Sequence, residues 1–165
     1  RVQEYVESVG LDNEEIVINV QGDEPLIDIE AVNKLGDFMR ANKYKYGTIA
    51  QHFSSNEDLL DPNKVKVIVS NDNSAEEFFR DTPAVVKDFS KVVLHHIGIY
   101  AYQVNFLNTF SGLPKTQNEI NLKLEQMRAL DNALPLHVLE LNLDKSWGID
   151  TEEDLIKLRK HLQLN

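Results

Sequence analysis

The sequence has no cysteine, little glycine and proline, and fewer basic than acidic residues. Its 165 residues include 0 Cys, 7 Gly and 5 Pro, and 17 Lys+Arg stand against 27 Asp+Glu, a formal net charge of -10. Without cysteine, disulfides, cysteine zinc ligands and a thiol nucleophile are excluded. Nucleic-acid binding is disfavoured because phosphate recognition needs a basic face. The sequence contains no run of about 18 apolar residues, so it predicts no membrane-spanning helix.

What is present indicates one globular domain. Hydrophobic residues make up 42% of the chain and charged residues 27%, which are ordinary globular values. The chain opens on Arg1, and Val2, Val6 and Val9 have helical spacing that ends at Gly10. Native chains rarely begin inside a helix. We therefore expect further sequence before Arg1, with residues 1–165 forming the C-terminal portion of a single domain.

The order of the elements predicts an α/β fold. Ile16–Val20 is β-branched and apolar, typical of a buried parallel strand, and a helix with its N-cap at Asp28 follows it. Residues 65–69 and 76–80 read as a hairpin. We therefore predict a mixed, mainly parallel sheet flanked by helices, with a smaller antiparallel subdomain.

The second half of the chain predicts further alternation of strands and helices. We expect strands over residues 94–102 and 136–141, and helices over residues 104–110, 119–132 and 151–162. The helix over residues 119–132 is predicted as one continuous element.

Two aspartates at the ends of predicted elements are candidates for a metal site. Asp23 lies in the loop that follows the first strand, where ligands of open α/β sheets bind, and Gly22 would let the backbone approach a ligand. Asp150 lies just before the last helix. Together they could hold Mg²⁺, which takes oxygen ligands. The alternatives are an acidic turn at Asp23 and a charge favoured by the helix dipole at Asp150.

Other polar side chains fall on the predicted strands and helices. His95 and His96 are adjacent in one strand and must face opposite sides, so one of them could face a cleft, and Tyr100 shares the side of His96. Arg80 ends a strand and could bind a carboxylate with its two-pronged guanidinium, or form a surface ion pair. Glu125 and Gln126 lie in the helix over residues 119–132, either at a site or on a solvated face.

Six segments occur in an order that resembles one enzyme family. They are INVQGDEPLI at residues 18–27, VKVI at 65–68, FFR at 78–80, HIGIYAY at 96–102, LEQMRAL at 124–130 and IDTEEDL at 149–155. Each segment alone is a weak signal, but the set in this order resembles the CMP-Kdo synthetases (3-deoxy-manno-octulosonate cytidylyltransferases) along essentially the whole chain.

The resemblance implies a fold and a reaction. It implies the architecture of the nucleotide-diphospho-sugar transferases, with the antiparallel subdomain binding sugar and forming a dimer. The reaction would transfer CMP from CTP to the anomeric hydroxyl of 3-deoxy-D-manno-octulosonate (Kdo), releasing pyrophosphate, for lipopolysaccharide synthesis. The resemblance also implies a cytoplasmic homodimer, and a nucleotide-binding segment that precedes Arg1.

The resemblance assigns roles residue by residue. Asp23 and Asp150 match the aspartates that bind Mg²⁺ and are catalytic in the family. The matching substrate-binding positions are Gln21, Gly22, Arg80, His96, Tyr100, Glu125 and Gln126. Arg80 would face the Kdo carboxylate.

Two alternatives stay open. The first is a related cytidylyltransferase that acts on another sugar, such as 8-amino-Kdo, although Glu24 in the QGDEP segment favours the plain Kdo enzymes. The second is a non-catalytic α/β binding fragment. Mg²⁺-dependent CTP binding separates the enzymes from the fragment.

Overall fold

The computed structural model describes residues 1–22, 26, 28–81, 93–143, 149 and 151–163. The helices are α1 Val2–Val9, α2 Ile29–Asn42, α3 Asn56–Leu60, α4 Val104–Ser111, α5 Gln117–Leu122, α6 Met127–Asp131 and α7 Glu152–His161. The strands are β1 Ile16–Val20, β2 Tyr46–Gln51, β3 Lys66–Val69, β4 Ala75–Phe79, β5 Val93–Gln103 and β6 His137–Glu140. None of the described helices is long and apolar enough to cross a membrane.

The six described strands form one mixed sheet flanked by helices, as the sequence predicts. The order is β4-β3-β5-β2-β6, and β1 also pairs with β5. Four of the five described pairings are antiparallel and only β2 with β6 is parallel. The predicted predominance of parallel pairing is therefore wrong for the described residues. The reason is that the long strand β5 lies between β1 and β2 and runs against both.

Strand β1 and the β3–β4 hairpin refine the predicted layout. Ile16–Val20 forms a strand as expected, but it pairs antiparallel with β5 and is half-buried to exposed rather than fully buried. The hairpin is antiparallel as predicted, and β3 also pairs with β5. The antiparallel part is thus continuous with the main sheet.

Helix α2 begins and ends as its sequence indicates. The Asp28 side chain accepts a hydrogen bond from the Glu30 N–H at 2.8 Å, which caps the helix. Leu35 and Met39 are fully buried against the sheet, whereas Ile29 is 71% exposed. The spacing of Ile29, Leu35 and Met39 predicts one apolar face, which is wrong for Ile29, the first residue of the helix.

The predicted single helix over residues 119–132 is wrong. The structure has two short helices, α5 and α6, because Lys123 adopts a left-handed conformation with φ 54° and closes α5. The residues between them form a turn in which the Leu124 N–H donates to the Glu119 carbonyl and the Met127 N–H to the Leu124 carbonyl. This turn carries Glu125 and Gln126.

The core lies on both faces of the sheet. One face has an aromatic cluster in which the Tyr46 ring stacks on Tyr102 and Phe106. The other face buries Ile49, Ile97 and neighbouring aliphatic side chains beneath α2. Helix α7 contributes Leu158 to the buried set. The spacing of Leu158 and Leu162 predicts that both face inward, but Leu162 follows the end of the helix and is 41% exposed.

Candidate functional site

The candidate site lies where two strands separate along one edge of β5. Strand β1 pairs with residues 99–103 of β5, and β3 pairs with residues 93–95. Since β2 occupies the opposite edge, β1 and β3 lie end to end on the same edge. The His96 N–H still donates to the Val65 carbonyl at 2.9 Å. Residues 96–98 of β5 therefore span the junction between the end of β1 and the start of β3.

His96 and Tyr100 share one face of β5, as the spacing predicts. Their ring centroids lie 5.4 Å apart, and both residues are buried. His95 faces the other way, with its ring 5.4 Å from that of Phe53. The strand therefore delivers one histidine of the pair to the candidate site.

The Gln21 side chain lies against β5 at Gly98, on the face of His96 and Tyr100. A Cβ atom added at Gly98 would lie 3.5 Å from the Gln21 Cγ, so the glutamine side chain lies over the glycine. Gly98 alternates with Ile97 and Ile99, which face the opposite core cluster. Gly22 follows Gln21 at an exposed position, and a Cβ there would meet nothing within 4 Å.

The His96 ring is neutral and held at one nitrogen. Burial, with a smaller contribution from the neighbouring His95, lowers its pKa to about 3. The His96 Nε2 lies 2.9 Å from the Thr48 Oγ1. A group with so low a pKa is a poor proton acceptor at neutral pH, so the ring can only bind and orient a ligand by hydrogen bonding.

Tyr100 orients the amide of Gln126. The Tyr100 hydroxyl donates to the Gln126 Oε1 at 3.0 Å, and burial raises the pKa of this hydroxyl well above its usual range, which keeps it a donor. Gln126 is 2% exposed, and its Nε2 has no hydrogen-bond partner among the described residues. A buried amide N–H₂ without an acceptor is unfavourable, so this group is a candidate for contact with a ligand.

A buried ion pair fixes the turn that carries Gln126. The Arg128 Nε and Nη2 donate to the two carboxylate oxygens of Glu119 at 2.7 and 2.6 Å. Both residues are buried, and the Arg128 guanidinium also lies over the Phe110 ring at 4.9 Å. Glu125 is only 3.3 Å from the Arg128 Nη2, but its side chain is 64% exposed. The predicted solvated face is therefore wrong for Gln126 and fits Glu125.

Arg80 lies at the end of β4 against the same turn. Its Nε donates to the Leu122 carbonyl at 3.1 Å, and its Nη1 to the Pro62 carbonyl at 3.5 Å. In the described part of the chain no carboxylate pairs with it, so the alternative of a surface ion pair finds no support there. The Arg80 carbonyl accepts a hydrogen bond of 2.7 Å from the Nζ of Lys66.

The two predicted metal ligands, Asp23 and Asp150, lie outside the described residues. Within the described ranges, no group of three or more His, Asp or Glu side chains could hold a metal ion. The donor set itself fits the proposed ion, because two carboxylates supply the oxygen ligands that Mg²⁺ takes. The magnesium site stays a prediction.

Three polar features that position the site were missed by sequence reasoning. They are Thr48, the fully buried Lys66, and the Glu119–Arg128 pair. Lys66 and Thr48 carry a signal, since each interrupts an otherwise apolar strand, VKVIV and YGTIAQ. The ion pair carries none, because its partners belong to different helices that the sequence predicts as one.

Comparisons with solved structures identify the fold. A solved structure of a CMP:2-keto-3-deoxy-manno-octonic acid synthetase complexed with CTP superposes with a TM-score of 0.83 at 30% identity, covering 98% of this chain and 66% of that one. A glucose-1-phosphate thymidylyltransferase from Bacillus anthracis superposes with a TM-score of 0.58 at 14% identity over 97% of this chain and 58% of its own, which shows the fold alone. The fold is thus that of the sugar nucleotidyltransferases.

Sequence matches define the family more narrowly. The chain belongs to the cytidylyltransferase family, whose pattern it matches over residues 1–140. It is 41% identical to the 3-deoxy-manno-octulosonate cytidylyltransferase of Thermodesulfovibrio yellowstonii, covering 90% of this chain and 61% of that protein. It is 36% identical to the enzyme of the same name from Saccharophagus degradans, covering 99% and 69%. The chain thus spans between three fifths and seven tenths of the length of these two curated relatives.

Proposed function

We propose that the protein transfers CMP from CTP to the anomeric hydroxyl of Kdo. The observation that carries the proposal is the match, along 90% and 99% of the chain, to two proteins named 3-deoxy-manno-octulosonate cytidylyltransferase. The buried polar residues His96, Tyr100 and Gln126 support it, since ligand sites carry a few convergent polar groups and the Gln126 Nε2 has no partner among the described residues.

The proposed reaction is an in-line displacement at the α-phosphorus of CTP. A bond forms between the anomeric oxygen of the sugar and this phosphorus, and the bond to the oxygen that bridges to the β-phosphate breaks. Pyrophosphate leaves with the electron pair, and the hydroxyl proton passes to water. The protein's task is to hold the two substrates in line and to stabilise the charge that develops.

The described residues have distinct parts in this proposal. The Gln126 amide donates to a sugar hydroxyl, because its oxygen is already occupied by Tyr100. His96 accepts a hydrogen bond as a neutral ring. Arg80 binds the sugar carboxylate through its terminal nitrogens, and Gln21 and Glu125 contact the substrate from the end of β1 and from the α5–α6 turn.

Asp23 and Asp150 are the residues proposed to hold Mg²⁺. When bound, the ion would neutralise phosphate charge and lower the pKa of the anomeric hydroxyl. Replacing either aspartate with asparagine keeps the size of the side chain but removes its negative charge. We expect kcat/KM to fall at least about 100-fold for each variant, measured by pyrophosphate release at limiting Mg²⁺. Near-normal turnover of both variants would contradict the metal assignment.

The proposed function is tested with the complete natural polypeptide. CTP, Kdo and Mg²⁺ should yield CMP-Kdo and pyrophosphate, and omission of Kdo or chelation of Mg²⁺ with EDTA should abolish both products. A second reaction with 8-amino-Kdo separates the two sugar specificities. Preference for the amino sugar would support the alternative enzyme. Failure to bind CTP, with or without Mg²⁺, would support a non-catalytic binding protein.

We further propose that the protein acts in lipopolysaccharide synthesis as a cytoplasmic homodimer. The support is the resemblance to the family alone. Light scattering during size exclusion measures the oligomeric state, and fractionation of cells measures the location. A monomer at micromolar concentration, or recovery in another compartment, would contradict this part of the proposal.

A further inference from the structure

Thr48 occupies an irregular point in the pairing of β2 with β5. Thr48 pairs with Tyr100, but the next residue, Ile49, pairs with Ile97. Gly98 and Ile99 therefore form a bulge in β5 opposite no residue of β2. Thr48 is fully buried, and its side chain lies beside this bulge, in contact with the carbonyls of Ile97 and Ile99.

The Thr48 hydroxyl has three neighbours. Its Oγ1 lies 2.8 Å from the Ile99 carbonyl oxygen, 3.3 Å from the Ile97 carbonyl oxygen and 2.9 Å from the His96 Nε2. A hydroxyl has one proton to donate, and carbonyl oxygens only accept. The contact of 2.8 Å requires that the proton point to Ile99. Thr48 must therefore accept a hydrogen bond from His96.

This requirement decides the protonation of the His96 ring. Nε2 carries the hydrogen that Thr48 accepts. The ring is neutral at physiological pH because burial lowers its pKa to about 3, so a neutral ring with Nε2–H has a lone pair at Nδ1. The imidazole also packs against the Phe78 ring, edge-on with its centroid at 5.2 Å, and against the Tyr100 ring at 5.4 Å.

We propose that Thr48 is a positioning residue that fixes the Nε2–H tautomer of His96 and thereby presents Nδ1 as the acceptor for a hydroxyl of the sugar substrate. The sugar part rests on the proposed function. The tautomer part rests on the hydrogen bonds alone. The Nδ1 of His96 therefore favours a hydrogen-bond donor of the substrate over an acceptor.

The tautomer is measured directly by nuclear magnetic resonance on protein with ¹⁵N-labelled histidine rings. The His96 signals are identified by their loss in His96→Asn. We expect a pyrrole-type Nε2 and a pyridine-type Nδ1 between pH 6 and 8, and the same pattern in Thr48→Ser, which keeps the hydroxyl. Thr48→Val keeps the size but loses the hydroxyl, so the opposite tautomer should become populated.

Two spectroscopic results would overturn the proposal. One is an Nδ1–H tautomer in the unaltered protein, which needs no variant and therefore no assumption about folding. The other is an unchanged Nε2–H tautomer in Thr48→Val. If Thr48→Val does not fold, Thr48→Ala gives the same comparison with a smaller side chain.

Kinetics test the link to the sugar. In Thr48→Val we expect the KM for Kdo to rise about tenfold, the effect of one hydrogen bond, with the KM for CTP unchanged and Thr48→Ser close to the unaltered protein. Equal losses for both substrates, or an unchanged KM for Kdo, would overturn the sugar-binding role. If the protein uses no Kdo at all, the proposed function fails, and the tautomer measurement alone still decides the role of Thr48.

Discussion

Two fully or largely buried cations flank the candidate site, and the fold accommodates them in different ways. Lys66 lies in β3, where its ammonium donates to the carbonyls of Asp61 and Arg80. Arg128 lies in α6, where its guanidinium makes a paired contact with the Glu119 carboxylate. Within the described residues, Lys66 has only neutral carbonyl dipoles as its hydrogen-bond acceptors, whereas Arg128 has a carboxylate with a full negative charge.

The difference appears in the direction of the pKa shifts. Burial lowers the pKa of Lys66, because carbonyl dipoles do not fully replace water. The hydrogen bonds with Glu119 raise the pKa of Arg128 despite its burial, and the same bonds lower the pKa of Glu119. The comparison teaches that Arg128 depends mainly on the carboxylate of Glu119, with further contacts to Glu125 and Phe110, whereas Lys66 depends on the backbone carbonyls of two loops.

The same replacement at both positions gives the sharpest test, and Arg128→Met should have the largest effect. It leaves the buried Glu119 carboxylate without its partner, so we expect a loss of about 3 kcal/mol in the free energy of unfolding. Urea denaturation measures it. The double variant Glu119→Leu/Arg128→Met should recover part of the loss, since no lone charge remains buried. A double variant as unstable as the sum of both single changes would break the comparison.

Lys66→Met should cost less, about 2 kcal/mol, because it leaves two carbonyls without a donor but no lone charge. The pH dependence has a defined sign. Since the pKa of Lys66 is lower in the folded state, the unfolded chain binds more protons between the folded pKa and the ordinary value of 10.5, so the contribution of Lys66 to stability grows as pH rises through this window. Denaturation at pH 7 and pH 10 should show that the unaltered protein gains stability relative to Lys66→Met, a difference in which the buried tyrosines common to both proteins cancel.

His96 is a third buried base, and it should behave like Lys66 because no carboxylate pairs with it among the described residues. Its pKa of about 3 lies below the usual 6.5, so the unfolded chain binds the extra proton as pH falls between these values. As pH falls from 6 to 4, the unaltered protein should therefore lose stability relative to His96→Gln by about 1.4 kcal/mol per pH unit.

His95 is the matched control for that measurement. Burial lowers its pKa to about 4, so the corresponding change for His95→Gln should have the same sign and end about one pH unit higher. A flat difference for His96→Gln would show that the ring is not held neutral.

The smallest expected effect concerns the amide that the Arg128 pair positions. Gln126→Leu keeps the size of the side chain but removes the N–H donors, so the KM for Kdo should rise about fivefold with little change in kcat. Gln103→Leu, on an exposed contact to Glu14 at 3.3 Å, is the control and should leave the KM unchanged. Equal KM values for both variants would argue that Gln126 is structural.

The parts of the fold that repeat a local pattern could be predicted from the sequence. The strand over residues 94–102, the hairpin turn around Asp72, and the cap at Asp28 all depend on neighbouring residues, and the structure confirms them. The shared face of His96 and Tyr100 follows from strand alternation alone. These features need no knowledge of which strand pairs with which.

Features that depend on distant partners could not be predicted. The break at Lys123 accompanies the contact of Glu119 with Arg128 across the turn, and nothing in the local sequence predicts that the helix stops there. The antiparallel pairing of β1 depends on a strand that lies about 80 residues later in the chain. Gln126 lies in the turn that this break creates. Its burial there, which makes it a candidate for ligand contact, could not be predicted from a single continuous helix.

Strand β5 also sets an order of events during synthesis. It is the described strand to which β1, β2 and β3 all hydrogen-bond, and β2 otherwise pairs only with the still later β6. A ribosome releases β1 and β2 well before residue 103, so neither has its described sheet partner until β5 emerges. The segment Ile16–Val20 therefore stays without its described partner strand until about 80 further residues have been made, and we expect it to be open to unwanted pairing during that interval.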